Sequence, residues 1–170
     1  LDGKTTVVTK AAELAFSKGI IIVNSAGNSG DDAWKYILAP ADADNVLAVG
    51  AVYANETITS FSSYGFEWDT RVKPNIVAQG GSTVLANENA DAIKTANGTS
   101  FSSPLIAGMM ACLWQSNPTA NNKELIHAVE QSASKYAAPD NLFGYGIPDF
   151  DIAGTFLSVN DPIDNTSQFQ

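Results

Sequence analysis

In this 170-residue chain the stretch Gly98-Thr99-Ser100-Phe101-Ser102-Ser103-Pro104 runs straight into an apolar segment, Leu105 to Trp114. A serine there opens a helix, where unpaired backbone N–H groups and the positive end of the helix dipole stabilise a developing anion. Attack of the Ser100 hydroxyl on a carbonyl carbon creates such an anion, so the chemistry indicated is acyl transfer through a covalent intermediate. Gly98 permits a tight approach of the chain, and Pro104 suits a first helical turn, where a missing N–H costs nothing. A serine nucleophile also needs a base. The single histidine, His127, follows Ser100 on a stretch that reads as an exposed helix, and Cys112 reads as an inert thiol inside an apolar one.

A second polar group, Ser25-Ala26-Gly27-Asn28, ends a β-branched run that begins at Ile20. Alone, Asn28 is an ordinary turn residue. Together, however, the two segments resemble the subtilisin-like serine peptidases, or subtilases: the first is similar to their G-T-S-x-[AS]-[ST]-P signature, the second to their A-A-G-N turn. Further matches fall in the family's order. Ala39 to Val52, "APADADNVLAVGAV", Ser60 to Gly65, "SFSSYG", Val72 to Gly80, "VKPNIVAQG", and Gly144 to Ala153, "GYGIPDFDIA", resemble its later segments. Asn75 and Gln79 depart from it, standing where Asp and Pro are usual.

The resemblance implies a serine endopeptidase in which Ser100 is the nucleophile and Asn28, with the Ser100 N–H, holds the oxyanion. It places Ser25, Ala26, Gly27 and Thr99 at the substrate, an extended protein or peptide. The family order of catalytic residues is Asp, His, Ser, and neither a D-[ST]-G nor an H-G-T segment precedes Ser100 here. Both are expected on sequence before Leu1, so that this chain alone is inactive and its partner is the N-terminal part of the same enzyme or a second copy. The competing reading is an inactive pseudopeptidase or protein-binding module of the same fold. An esterase of the α/β-hydrolase type is disfavoured by the lack of a G-x-S-x-G elbow. By family analogy the enzyme is bacterial and secreted or held in the cell envelope.

Composition narrows the remaining possibilities. A net charge of −9 argues against nucleic acid or anionic membrane as a partner. No apolar run reaches the length of a membrane span, and one cysteine permits no internal disulfide. No cofactor is expected. Calcium lacks a loop motif, and Asp31, Asp32, Asp42 and Asp44 read as solvated loop residues. The glycosylation triplets at Asn55, Asn97 and Asn165 are short, weak patterns.

The elements that must position Ser100 and Asn28 follow from periodicity. Val7, Val8, Ala11, Leu14 and Ala15 predict an amphipathic helix over Thr5 to Lys18, closed by Gly19. Ile20 to Val23, Asn45 to Val52 and Asn75 to Ala78 predict buried parallel strands, the first of them central. A helix from Thr99 or Ser100 to about Asn117, apolar around most of its circumference, belongs in the interior. Asn121 with Glu124 predicts a capping box opening a surface helix over Asn122 to Ser132. The expected fold is therefore α/β, doubly wound around a mainly parallel sheet and incomplete at its N-terminal side, with residues 1–154 forming the catalytic part and 155–170 a linker or tail.

Overall fold

A computed structural model describes residues 1–87 and 92–158. The fold is α/β. Helix α1 (Val7–Ser17) leads to strands β1 (Val23–Ser25), β2 (Leu47–Val52) and β3 (Ile76–Gln79), a parallel sheet in the order β1-β2-β3. A two-stranded antiparallel hairpin, β4 (Thr83–Ala86) with β5 (Ile93–Ala96), precedes helix α2 (Thr99–Ser116), and helices α3 (Asn122–Ser132) and α4 (Phe150–Ser158) follow.

Every residue of β2 is buried, as an apolar, largely Val and Ala strand with a neighbour on each side requires. The main core forms where Leu47, Val49 and Ile76 of the sheet meet Ile106, Met110 and Leu113 of α2, backed by Leu125 and Val129 of α3 and Ala153 and Leu157 of α4. The capping box on α3 is complete: the Asn121 side chain accepts from Lys123 N and Glu124 N, and the Glu124 carboxylate accepts from Asn121 N. Thr6 caps α1 through its side chain alone, accepting from Thr9 N.

Several expectations are corrected. β1 begins at Val23 and is an edge strand rather than a central one, because among the described strands it pairs only with β2; its ladder starts where Val23 meets Leu47. Helices α1 and α2 form as predicted, but part of the apolar surface of each is not covered. Val7, Val8 and Leu14 of α1 are exposed, and Thr9 and Ala12 turn inward instead. On α2, Leu105 and Met109 are also exposed, as is Cys112, so this helix lies over one face of the sheet and not in the interior. Periodicity reports which face is apolar, and a cover for that face comes only from another element. The final helix continues to Ser158 with Leu157 in the core, past the boundary drawn at residue 154; the rest of the tail, with Asn165, lies outside the described residues.

Asp42 is fully buried rather than solvated: it accepts from Gly3 N at 3.0 Å and from the Thr9 hydroxyl at 2.8 Å, tying the chain start to the approach to β2. Lys73 is also buried, its ammonium donating to Val46 O at 2.8 Å and to Asn75 Oδ1 at 2.9 Å. Asn75 Oδ1 also accepts from Ala48 N, and Asn75 Nδ2 donates to Glu130 at 2.7 Å, so one carboxamide joins β2, β3 and α3. Burial pushes the Glu130 carboxyl above its ordinary value.

Candidate active site

The site assembles where the carboxyl ends of β1 and β3 meet the N-terminus of α2. The turn after β1 carries Asn28, and the start of α2 carries Ser100, both exposed. The Asn28 Oδ1 accepts two hydrogen bonds from Thr99, one from its backbone N–H at 2.8 Å and one from its hydroxyl at 2.9 Å. With the oxygen so engaged, the carboxamide has one orientation, and its Nδ2 is left as a donor, 3.6 Å from where a Cβ on Gly98 would stand.

The Thr99 hydroxyl in turn accepts from Gly27 N at 3.3 Å, which closes the link between turn and helix. Gly27 has a φ of 120°, and a side chain there would meet the Ser63 Oγ at 2.8 Å, so the turn requires glycine. From the other side, Gly98 N donates to Gly80 O at 2.8 Å, just beyond β3. A methyl group on Gly80 would lie 2.7 Å from Gly98 O and 2.8 Å from the Ala51 Cβ. The backbone before the serine is thereby seated directly on the sheet.

Gly98 caps α2 without a side-chain bond, and Thr99 N is taken by Asn28. Among the described residues the Ser100 N–H has no acceptor, so it and the Asn28 Nδ2 are the donors left for an anion at this helix start. Pro104 lies one turn further in than expected, inside α2. Its missing N–H releases the Ser100 carbonyl from the helical bond it would otherwise accept.

Of the residues expected at a substrate, Ser25, which ends β1, and Gly27, in the turn after it, are half-buried. The side chains of Ala26 and Thr99 are not available to a bound molecule: Ala26 is fully buried against Ile37 and Phe66, and Thr99 is about as inaccessible. Their part is to hold the turn and Asn28. His127 lies on the exposed side of α3. The β4–β5 hairpin, which leads directly into Gly98, is not among the expected elements, because Thr83 to Ala86 and Ile93 to Ala96 are four-residue segments without polar–apolar alternation. Among the described residues no group of three or more His, Cys, Asp or Glu side chains could hold a metal ion, and no helix is long and apolar enough to cross a membrane.

The chain has known relatives. The profile of the Subtilase family matches residues 2–146. A thermophilic serine proteinase from Bacillus sp. (strain AK1) is 37% identical over 145 residues, covering 85% of this chain and 33% of that one. Subtilisin DY of Bacillus licheniformis is 32% identical, covering 84% of this chain and 48% of its own. Among solved structures, the prenylagaramide maturation protease PagA superposes with a TM-score of 0.71 at 25% identity, covering 87% of this chain and 54% of that one. The self-cleaved protease domain of PatA gives 0.76 at 24% identity, with coverages of 94% and 58%. The chain spans about a third to a half of the length of these curated relatives. It belongs to the Subtilase family.

Proposed function

We propose that the polypeptide carrying this chain is a serine endopeptidase acting on extended protein or peptide substrates, and that Ser100 is its nucleophile. The observation that carries this reading is the double engagement of the Asn28 Oδ1 by Thr99, which leaves the Asn28 Nδ2 and the Ser100 N–H as free donors beside an exposed Ser100 hydroxyl. The Ser100 oxygen attacks the peptide carbonyl carbon as its proton passes to a histidine. Attack forms the bond between the Ser100 oxygen and the carbonyl carbon and leaves the carbonyl oxygen as an oxyanion held by the two donors; on collapse the C–N bond breaks as the histidine gives its proton to the leaving amine, and a water deprotonated by the same histidine then releases the acyl group from Ser100. The histidine and the aspartate that orients it lie on sequence preceding this chain. Ser25 and Gly27 flank the side chain before the scissile bond. Secretion to the cell exterior or envelope follows the family resemblance.

Labelling with a fluorophosphonate probe tests the reading, because the probe reports an activated serine. The polypeptide containing the expected histidine and aspartate should label at Ser100 and lose both labelling and peptide hydrolysis on Ser100→Ala. The 170-residue chain alone should show neither, since loss of the base lowers turnover by about a millionfold in subtilisin itself. A full polypeptide that does not label would instead be a protein-binding module of this fold.

A further inference from the structure

Two segments outside the site build a continuous aromatic surface. Trp34 and Tyr36 follow the Asn28 turn, Tyr64, Phe66 and Trp68 precede Lys73, and the segments run side by side through the bridge between Tyr36 and Tyr64, with Ile37 N donating to Tyr64 O at 2.9 Å. Ring centroids are 4.6 Å apart for Tyr36 and Phe66, 5.0 Å for Phe66 and Trp68, and 5.4 Å for Tyr36 and Trp68, while Trp34 meets Phe66 edge-on at 6.2 Å. The cluster has a buried base and an open top. Phe66 is 6% exposed and packs on Ala26, two positions from Asn28, whereas Trp34 is 46% and Trp68 71% exposed.

Packing explains the base and does not explain the top. Two indoles left in water, each packed against Tyr36 and Phe66, mark a surface that something covers. The charges around them select the occupant. Asp31, Asp32 and Glu67 are exposed on these same two segments, against Lys35, while the Asp69 carboxylate is already bonded to Arg71. Aromatic faces with exposed carboxylates on the same segments attract cations, and a guanidinium both stacks on indole and donates to carboxylate oxygens.

We propose that this surface docks an arginine- or lysine-bearing segment of a polypeptide, its cationic group lying over Trp34 and Trp68 within reach of Asp31, Asp32 and Glu67. That the polypeptide is the substrate rests on the peptidase reading; the docking itself does not. Through the buried cluster of Phe66, Ile37 and Ala26 the surface is joined to the turn that carries Asn28, so a docked substrate is held by the same packed unit that holds the oxyanion donor.

The test uses the Ser100→Ala protein and fluorescence anisotropy of a fluorescein-labelled peptide of alternating arginine and alanine. Its twin has citrulline, which keeps the shape and removes the charge. Saturable binding of the arginine peptide is expected, weaker by about tenfold for the citrulline peptide and for Trp68→Ala, and retained with Trp68→Phe, which keeps a ring. Glu67→Gln and added salt should each weaken it. Trp68 is so exposed that its replacement leaves the core intact. Equal binding of the two peptides, no binding of either, or unchanged binding by Trp68→Ala would overturn the proposal. Labelling at Ser100 is read separately: lost labelling with retained arginine binding refutes the peptidase reading alone, and the reverse refutes this surface alone.

Discussion

At Asn28 the structure spends three hydrogen-bonding groups on one side-chain orientation: two from Thr99 directly, and Gly27 N through the Thr99 hydroxyl. If the free Nδ2 meets charge only in the transition state, Asn28→Ala in the active polypeptide should lower kcat by about 100- to 1,000-fold with KM nearly unchanged. Steady-state kinetics on a peptide substrate decides this; wild-type kcat would return Asn28 to the role of a turn residue. Thr99→Val removes one of the two donors to Asn28 and should lower kcat by about 2- to 10-fold, again with KM unchanged, because its effect passes through Asn28. A rise in KM alone would show instead that Thr99 serves binding. Ser100 and Asn28 are legible in the sequence because each sits in a recognisable local pattern. The partnership of Thr99 with Asn28 is not, since 71 positions separate them and only the packing of β1 against α2 brings them together.

Among the elements, α3 is the one most completely written in its local sequence. Its first residue is set by Asn121 and Glu124, so Asn121→Ala should cost about 1 kcal/mol, read as a lowered urea midpoint with an unchanged slope. An unaltered midpoint would mean that packing of Leu125 and Val129 alone holds the helix. β2 was equally legible, its six buried residues forming one apolar run. The hairpin β4–β5 was not, because its four-residue strands show no polar–apolar alternation, and neither was helix α4, although Asp149, which accepts from Ile152 N at 2.9 Å, marks its start. The burial of Asp42 escaped for a different reason: its partners Gly3 and Thr9 are distant in sequence, and a carboxylate carries no local sign of what will satisfy it.

For the molecule as a whole, the uncovered faces dominate. Ile20 to Val23 and the Ala107, Ala111 and Trp114 side of α2 enclose an open apolar cleft of about 570 Å³ beside the edge of β1 that no described strand pairs with. Unpaired strand edges and apolar clefts of this kind recruit partners. Light scattering of the isolated chain should therefore give a dimer or larger species, or a complex with a companion segment; a cooperative, soluble monomer would show that the chain closes its own core. Global stability should also respond to Lys73, whose ammonium is lowered to about 8, chiefly by burial and next by the Arg71 charge. Between that value and the ordinary 10.5, the unfolded chain holds a proton that the folded chain has released. Stability should therefore rise with pH across this window, by up to about 1.4 kcal/mol per unit, and Lys73→Met should flatten the rise in urea titrations. A slope equal in both proteins would refute it. The Asn28 turn, finally, bears on how long each molecule lasts. An asparagine followed by serine ages by ring closure, the next backbone nitrogen attacking the carboxamide carbon and expelling ammonia. Here Ser29 N is held by the Ser63 Oγ at 3.0 Å and the Asn28 carboxamide by Thr99, so nucleophile and target are both pinned out of the closing geometry. The contacts that aim Asn28 also protect it from becoming an aspartate, whose negative charge would repel the anion the site is built to receive.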